Sequence, residues 1–114
     1  MAGPEKNFEN KIKKFLNDAG CYYVKFFANR MTRSGIPDLI CCVNGFSVWV
    51  EVKAEAGRPS ELQKWNIREI RKAGGIAMIL YPDQFEDFKE LVLELKRKRS
   101  IFEMLKNWIT RVYD

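Results

Sequence analysis

Two apolar segments of the chain, residues 37–43 and 46–53, flank the pair Asn44-Gly45. An Asn-Gly pair between β-rich segments is the strongest short-range indication of a two-residue hairpin turn, in which both turn residues take positive φ. The turn fixes the register, because residues that face each other must then have numbers that add up to 89. The pattern therefore predicts that Asp38 faces Glu51.

This register divides the hairpin into two faces, because successive side chains of a strand point to opposite sides of the sheet. The second face carries Asp38, Glu51 and Lys53. Opposed like charges are destabilising, so the two acids need a compensating partner. The first face is wholly apolar and is predicted to lie against the core; it consists of Leu39, Cys41, Val43, Phe46, Val48 and Val50.

Two carboxylates held close together on rigid strands are suited to bind a hard divalent cation, Mg²⁺ or Mn²⁺. Lys53 lies on the same side as Glu51, and neighbouring carboxylates favour its ammonium form. We interpret it as a fixed positive charge that stabilises an attacking water or a developing phosphate charge. The combination indicates metal-assisted phosphodiester hydrolysis. The alternative is that these charges are solvated strand ends, as an isolated Pro-Asp or Glu-x-Lys would be in a chain with 31% charged residues.

The rest of the chain follows the periodicities of three further helices and two further strands. Their order is helix, three strands, helix, strand, helix, which predicts an α/β fold with a mixed sheet flanked by helices. The predicted segments are a helix over residues 5–18, a strand over 21–28, a helix that starts after residue 60 and ends at Gly74-Gly75, a strand over 76–81 that is buried on both faces, and a helix within 82–95.

Two of these helices have the spacing of an N-terminal capping box. The first pairs Ser60 with Gln63, and the second pairs Asp83 with Glu86. Gln63 therefore has a purely structural explanation. By spacing alone, Glu9 on the first helix is interpreted as a surface acid, although it could reach the edge of the sheet.

Several basic residues are candidate DNA contacts. Arg30 and Arg33 lie in the loop that leads to Asp38, where they could bind phosphates bidentately. The alternative of solvated loop charges is equally open. Lys25 and Arg58 are further candidates.

The C-terminal part, residues 96–113, consists of a basic run at 96–99 and an amphipathic segment that predicts another helix. This helix either packs on its own core or forms a homodimer contact. The second alternative is favoured by a large apolar stripe that includes Trp108 near the end of a small chain.

The composition limits the function classes. With 114 residues the chain is expected to form one domain, and its net charge of +5 is compatible with a polyanion partner. Because it has no histidine, zinc-hydrolase sites and histidine-dependent triads are excluded. Three cysteines without C-x-x-C spacing predict neither a zinc site nor disulfides. We expect a soluble, cytoplasmic protein without a membrane segment or a small-molecule cofactor.

The motifs SGIPDLICC and WVEVKAEAGRPSELQ, with Glu9 before them, resemble the PD-(D/E)xK nuclease superfamily. Within it, the pattern is similar to the VRR-NUC family, particularly its small stand-alone members from phages. The resemblance covers about residues 8–95, and the motifs occur in the right order with suitable gaps. It implies a restriction-endonuclease-like αβββαβ core over about residues 5–95, with residues 1–114 as a single nuclease domain in a bacterial or phage-infected cytoplasm.

The resemblance also implies a Mg²⁺- or Mn²⁺-dependent endodeoxyribonuclease. By this resemblance Lys53 is the catalytic lysine and Gln63 an active-site glutamine, and the metal ligands are Asp38, Glu51, Glu9 and the backbone carbonyl of Val52. The expected activity is resolution of four-way (Holliday) junctions by a homodimer, since a junction has two-fold symmetry and needs two incisions. The alternatives are a monomeric flap or nicking endonuclease and a non-catalytic DNA-binding module.

Overall fold

The computed structural model of the chain describes residues 3–27 and 34–105. The predicted order of elements is confirmed, and the fold is α/β with a mixed sheet flanked by helices, consistent with a restriction-endonuclease-like fold. In chain order the elements are helix α1 (Pro4–Asp18), strands β1 (Tyr22–Lys25), β2 (Leu39–Val43) and β3 (Phe46–Val52), helix α2 (Glu61–Lys72), strand β4 (Ile76–Leu80), helix α3 (Phe85–Arg97) and the short helix α4 (Ile101–Leu105).

The strands lie in the order β1-β2-β3-β4, with the first three antiparallel and β4 parallel to β3. The predicted hairpin register is confirmed, because Val43 pairs with Phe46 and Leu39 pairs with Val50. Asn44 has a φ of 52° and Gly45 a φ of 88°, as a two-residue turn of this kind requires. The parallel connection from β3 to β4 runs through α2, which packs on β4.

The predicted core face is also confirmed: its members are buried, except Phe46, which is half-buried. Helices α1 and α3 cover this face and meet through edge-to-face aromatic contacts, in which the ring centroids of Phe8 and Phe85 are 5.7 Å apart. The helical contribution to the core consists of Phe8, Ile12 and Leu16 from α1 and Phe88, Val92 and Leu95 from α3.

The opposite face of the sheet is covered by α2 along β3 and β4. Trp49 of β3 and Trp65 of α2 line one cavity of about 280 Å³ together with Ile70. The predicted capping box of α2 is confirmed, since the Gln63 backbone N–H donates to Ser60 Oγ at 3.1 Å and the Ser60 N–H donates to Gln63 Oε1 at 2.9 Å.

Three details of the prediction are wrong. The second capping box is not formed, because a 3₁₀ turn, Pro82–Gln84, precedes α3 and places Asp83 inside the turn. Strand β1 ends at Lys25, three residues earlier than predicted. Strand β4 is less completely buried than predicted: Ala77 on the α2 side and Leu80 on the core side are buried, whereas Ile76, Met78 and Ile79 are only half-buried.

The C-terminal segment begins with α4, whose residue Ile101 lies against the hairpin turn: a Cβ on Gly45 would be 3.0 Å from Ile101 Cβ. The side chains of Phe102 and Met104 are exposed. The part of the predicted stripe from Trp108 onward lies outside the described residues. Of the helices in residues 3–27 and 34–105, none is long and apolar enough to cross a membrane.

Replacing Asn44 tests how the turn is stabilised. Its Nδ2 donates to the Leu95 carbonyl oxygen at 3.0 Å and to that of Lys98, so the turn also holds the C-terminal end of α3. We expect Asn44→Ala to lower the free energy of unfolding by about 2 kcal/mol, because it removes hydrogen bonds and places a Cβ-bearing residue without a polar side chain at positive φ. Asn44→Gly also removes the hydrogen bonds, but glycine tolerates positive φ, so this variant separates the two effects. Its loss in the free energy of unfolding should be about 1 kcal/mol smaller than that of Asn44→Ala. Urea unfolding with equal midpoints for all three proteins would contradict this account.

Candidate active site

The charged residues predicted from the sequence to form the site lie together at one end of the sheet. Strand β1 ends there with Lys25, β2 begins after Asp38, and β3 ends beside Glu51. The hairpin ladder stops at the pair Leu39 and Val50, so Asp38 does not form the next ladder pair that the register predicts. Its Oδ2 instead accepts a hydrogen bond from the Val52 backbone N–H at 2.8 Å, which directs the carboxylate toward the end of β3.

Glu51 is a buried acid, 3% exposed, and lies close to Asp38. Burial raises the pKa of Glu51 to about 8, and the neighbouring Asp38 acts in the same direction. Lys53 lowers the pKa of Glu51, since its Nζ lies 3.6 Å from Glu51 Oε2. With a pKa of about 8, Glu51 is mostly protonated at neutral pH.

Lys53 is held by three neighbouring groups. Its backbone N–H donates to the Leu80 carbonyl oxygen at 3.0 Å, which extends the pairing of β3 with β4. Its aliphatic stem lies against Gly57, where an added Cβ would be 3.3 Å from Lys53 Cδ. The Gly57 carbonyl oxygen in turn accepts a hydrogen bond from the Tyr81 hydroxyl at 2.9 Å. The ammonium group is therefore presented to Glu51 by a fixed stem.

Glu9 of α1 is the second buried acid of this region, and it is surrounded by lysines. Its Oε1 lies 2.5 Å from Lys25 Nζ, and its Oε2 lies 2.8 Å from Lys6 Nζ and 2.9 Å from Lys13 Nζ. Burial alone would raise the pKa of Glu9, but the three ammonium groups outweigh it and lower the pKa to about 2. Lys25 Nζ also lies 3.7 Å from Asp38 Oδ1, and so stands between Glu9 and the acid pair.

The remaining sequence candidates either form no hydrogen bond to the acid pair within the described part of the chain or lie outside it, so their roles stay predictions. Gln63 is engaged in the capping box of α2 and, among the described side chains, has no hydrogen bond to the acid pair. Arg58 is exposed and donates to the Gly57 carbonyl oxygen at 3.0 Å. Arg30 and Arg33 lie outside the described residues, so their DNA contacts stay a prediction.

Sequence reasoning missed three residues that contribute to this region. Lys6 and Lys13 could have been found, because they stand three residues before and four after Glu9, the spacing of neighbours on one helix face. Tyr81 could not, because its contact with Gly57 joins positions 24 residues apart and has no local signature.

The acid pair fits a divalent cation. The fold places the two acids close together, and the raised pKa of Glu51 reflects their unfavourable proximity, which a bound cation would offset. The described residues contain no cluster of three or more acidic or cysteine side chains around one point, so an ion held here would keep waters or phosphate oxygens as further ligands. Glu9 is less suited to bind the cation, because both of its carboxylate oxygens already form ion pairs with lysines.

Comparison with known families agrees with this geometry. The family model of the archaeal Holliday junction resolvases (Hjc) matches residues 4–108. The chain belongs to that family. The Hjc family consists of nucleases of the PD-(D/E)xK superfamily, so the superfamily resemblance is confirmed, whereas the match does not single out VRR-NUC. Neither the comparison with curated proteins nor that with solved structures gave a match.

The raised pKa of Glu51 predicts how stability depends on pH. With EDTA present, native Glu51 stays protonated up to about pH 8, whereas in the unfolded chain it ionises near its ordinary value of 4.5. The native state therefore binds more protons between these values, and the free energy of unfolding falls as pH rises through this window. Glu51→Gln should lack this fall and be more stable than wild type at pH 8 by at least about 1 kcal/mol, since one pKa unit corresponds to about 1.4 kcal/mol.

The control for this measurement is Glu86→Gln, because Glu86 is an exposed acid paired with Lys89 at 2.8 Å. Its unfolding curves between pH 5 and pH 8.5 should follow those of wild type. A wild type that becomes more stable over this range, in parallel with Glu51→Gln, would show that the pKa of Glu51 is not raised in the native state.

Proposed function

We propose that this protein is a divalent-metal-dependent endonuclease that resolves four-way DNA junctions as a homodimer. The observation that carries the proposal is the group of two neighbouring acids, Asp38 and the buried Glu51, with the Lys53 ammonium 3.6 Å from Glu51. The Hjc family supplies the substrate class, because its members are Holliday junction resolvases. The metal dependence and the dimer are inferences from the residues.

In this proposal Asp38, Glu51 and the backbone carbonyl of Val52 would hold Mg²⁺ or Mn²⁺, which would supply an activated water and offset negative charge on the phosphate. The hydrogen bond from Val52 N–H keeps Asp38 oriented, and the contact of Lys53 with Gly57 keeps the ammonium from swinging into solvent. Lys53 thus stabilises the negative charge that develops on the phosphate oxygens in the transition state.

DNA reaches this site over a basic surface. The net charge is +5, and a divalent ion at the acid pair would make the local field more positive. Lys25 borders the acid pair, and Arg58 is exposed next to Gly57, against which the Lys53 stem packs. We assign both as phosphate contacts, which position the DNA without reading its sequence.

Resolution of a junction requires two incisions related by two-fold symmetry. One chain carries one acid pair among its described residues, so a C2 dimer supplies the second. An available surface lies on the face of the sheet opposite the core. It is formed where β1 and β2 extend beyond α2, and we call it the open sheet face; it consists of Tyr22, Val24, Ile40 and Cys42.

This open sheet face suits a second copy of the chain. Tyr22 is 71% exposed and Val24 is 41% exposed, and with the neighbouring Trp65 of α2 the face presents on the order of 400 Å² of apolar surface. A patch of this size marks an interaction site on a small protein, although a rim must be added to reach the roughly 800 Å² per partner of a stable interface. Its lack of charge makes it complementary to itself, which an isologous interface demands.

Cleavage of labelled four-way junction, flap and linear duplex DNA tests the activity. With Mg²⁺ we expect paired symmetric incisions in the junction, none with EDTA, and a loss of at least about 100-fold in rate for Lys53→Ala, because a preorganised charge at the transition state is worth a few kcal/mol. The matched control is Lys72→Ala, which removes an exposed lysine paired with Glu69 at 3.0 Å and should cleave at the wild-type rate.

Each other outcome of the cleavage assay has a definite meaning. Metal-dependent cutting of flaps alone would replace junction resolution by flap cleavage, and binding without cutting would leave a DNA-binding module. If Lys53→Ala and Lys72→Ala cleaved equally well, Lys53 would have no part in the reaction.

A charge on the open sheet face tests the dimer. Val24→Glu should convert the dimer into a monomer in light scattering, because the interface would bury two unpaired carboxylates. The control is Leu93→Glu, since Leu93 on α3 is 43% exposed, almost as much as Val24, but lies away from the open sheet face. A dimer that survives Val24→Glu but is lost on truncation after residue 97 would assign the interface to the C-terminal segment instead.

A further inference from the structure

Three lysines contact one buried acid, Glu9, next to the pair of Asp38 and Glu51. Three positive charges around one negative charge need an explanation. The side chain of Glu9 is only 5% exposed, and a single lysine would suffice to compensate it. In residues 3–27 and 34–105, Lys6 and Lys13 pair with no other acid, and Lys25 has only the more distant Asp38 in addition. The cluster therefore carries an excess of positive charge.

The excess places two of the ammonium groups close together. The Nζ atoms of Lys6 and Lys13 contact the same oxygen of Glu9 and lie less than about 6 Å apart, where like charges repel each other. An anion that binds across the three lysines would remove the repulsion.

The position of the cluster indicates which anion fits. Lys25 joins it to Asp38, so an anion bound by the lysines lies next to the phosphodiester that the acid pair would hydrolyse. Lysine ammonium groups bind phosphate oxygens as point charges. In DNA, the neighbouring phosphate of the same strand is available at this place.

We propose that Lys6, Lys13 and Lys25 form a binding site for a DNA phosphate adjacent to the scissile one, and that Glu9 positions these lysines instead of binding the divalent cation. This assignment deepens the proposed function, because it concerns how the same site holds its substrate. Glu9 fixes the three ammonium groups in the absence of DNA, so little side-chain entropy is lost when the phosphate binds.

The test of the phosphate site compares two adjacent lysines of α1. Lys13 contacts Glu9, whereas Lys14 is 79% exposed and pairs with Asp18 at the surface. Binding of a fluorescent four-way junction is measured by anisotropy in EDTA over a series of salt concentrations. We expect Lys13→Gln to bind about fivefold or more weakly and to reduce the slope of log K against log salt by about 1, as the loss of one phosphate contact should. Lys14→Gln should match wild type.

Equal losses in the two variants would mean that only overall charge matters, and no loss in Lys13→Gln would mean that the cluster does not touch DNA. Either result overturns the phosphate site. Because these measurements require no cleavage, failure of the proposed nuclease activity would be recognised separately, by a wild type that binds the junction but does not cut it.

The role of Glu9 is tested by Mn²⁺ binding without DNA, followed by calorimetry. Asp38→Asn should lower the Mn²⁺ affinity at least about tenfold, because it removes a ligand, whereas Glu9→Gln should stay within about twofold of wild type. Glu9→Asp, which keeps the charge, serves in the same comparison if the glutamine variant does not fold. A loss of Mn²⁺ affinity in the Glu9 variant equal to that of Asp38→Asn would place Glu9 among the metal ligands and overturn the positioning role.

Discussion

The two-residue turn at Asn44 and Gly45 sets the register on which the rest of the structure depends. A shift by one residue would move every side chain of the hairpin to the other face of the sheet and would place the core residues in solvent. The same register brings Asp38 to the end of β3, where the Val52 backbone N–H donates a hydrogen bond to the Asp38 carboxylate. One local constraint therefore decides both the packing of the core and the assembly of the acid pair.

The acid pair shows how the fold tolerates an unfavourable arrangement. Glu51 is buried beside another acid, and its strand is held by the apolar core and by the two neighbouring strands, β2 and β4. Stability that the core provides is used to keep two carboxyl groups closer than their charges favour. A substitution that relaxes the pair should therefore stabilise the protein at the expense of its activity, which is the usual relation between stability and function at such sites.

The hairpin, the order of elements and the core face were predictable because each depends on contacts between residues close in sequence. The turn chemistry of Asn44 and Gly45 gives the register directly, and Ser60 and Gln63 mark the start of α2. Sequence reasoning failed where distant segments decide. The start of α3 is displaced by a 3₁₀ turn, and the lysines around Glu9 include one from β1 that no local pattern connects to α1.

The charges of the site do not cancel in the protein alone. Three acids, Glu9, Asp38 and Glu51, stand with the four lysines Lys6, Lys13, Lys25 and Lys53 in one region joined by ion pairs, which leaves an excess of positive charge. A divalent cation adds two positive charges to this region and each phosphate adds a negative one, so the phosphates offset an excess that the cation increases. The cation and the DNA should then strengthen each other's binding by the same factor, because such coupling is reciprocal. Lys25, which contacts both Glu9 and Asp38, is the residue through which this coupling would act most directly.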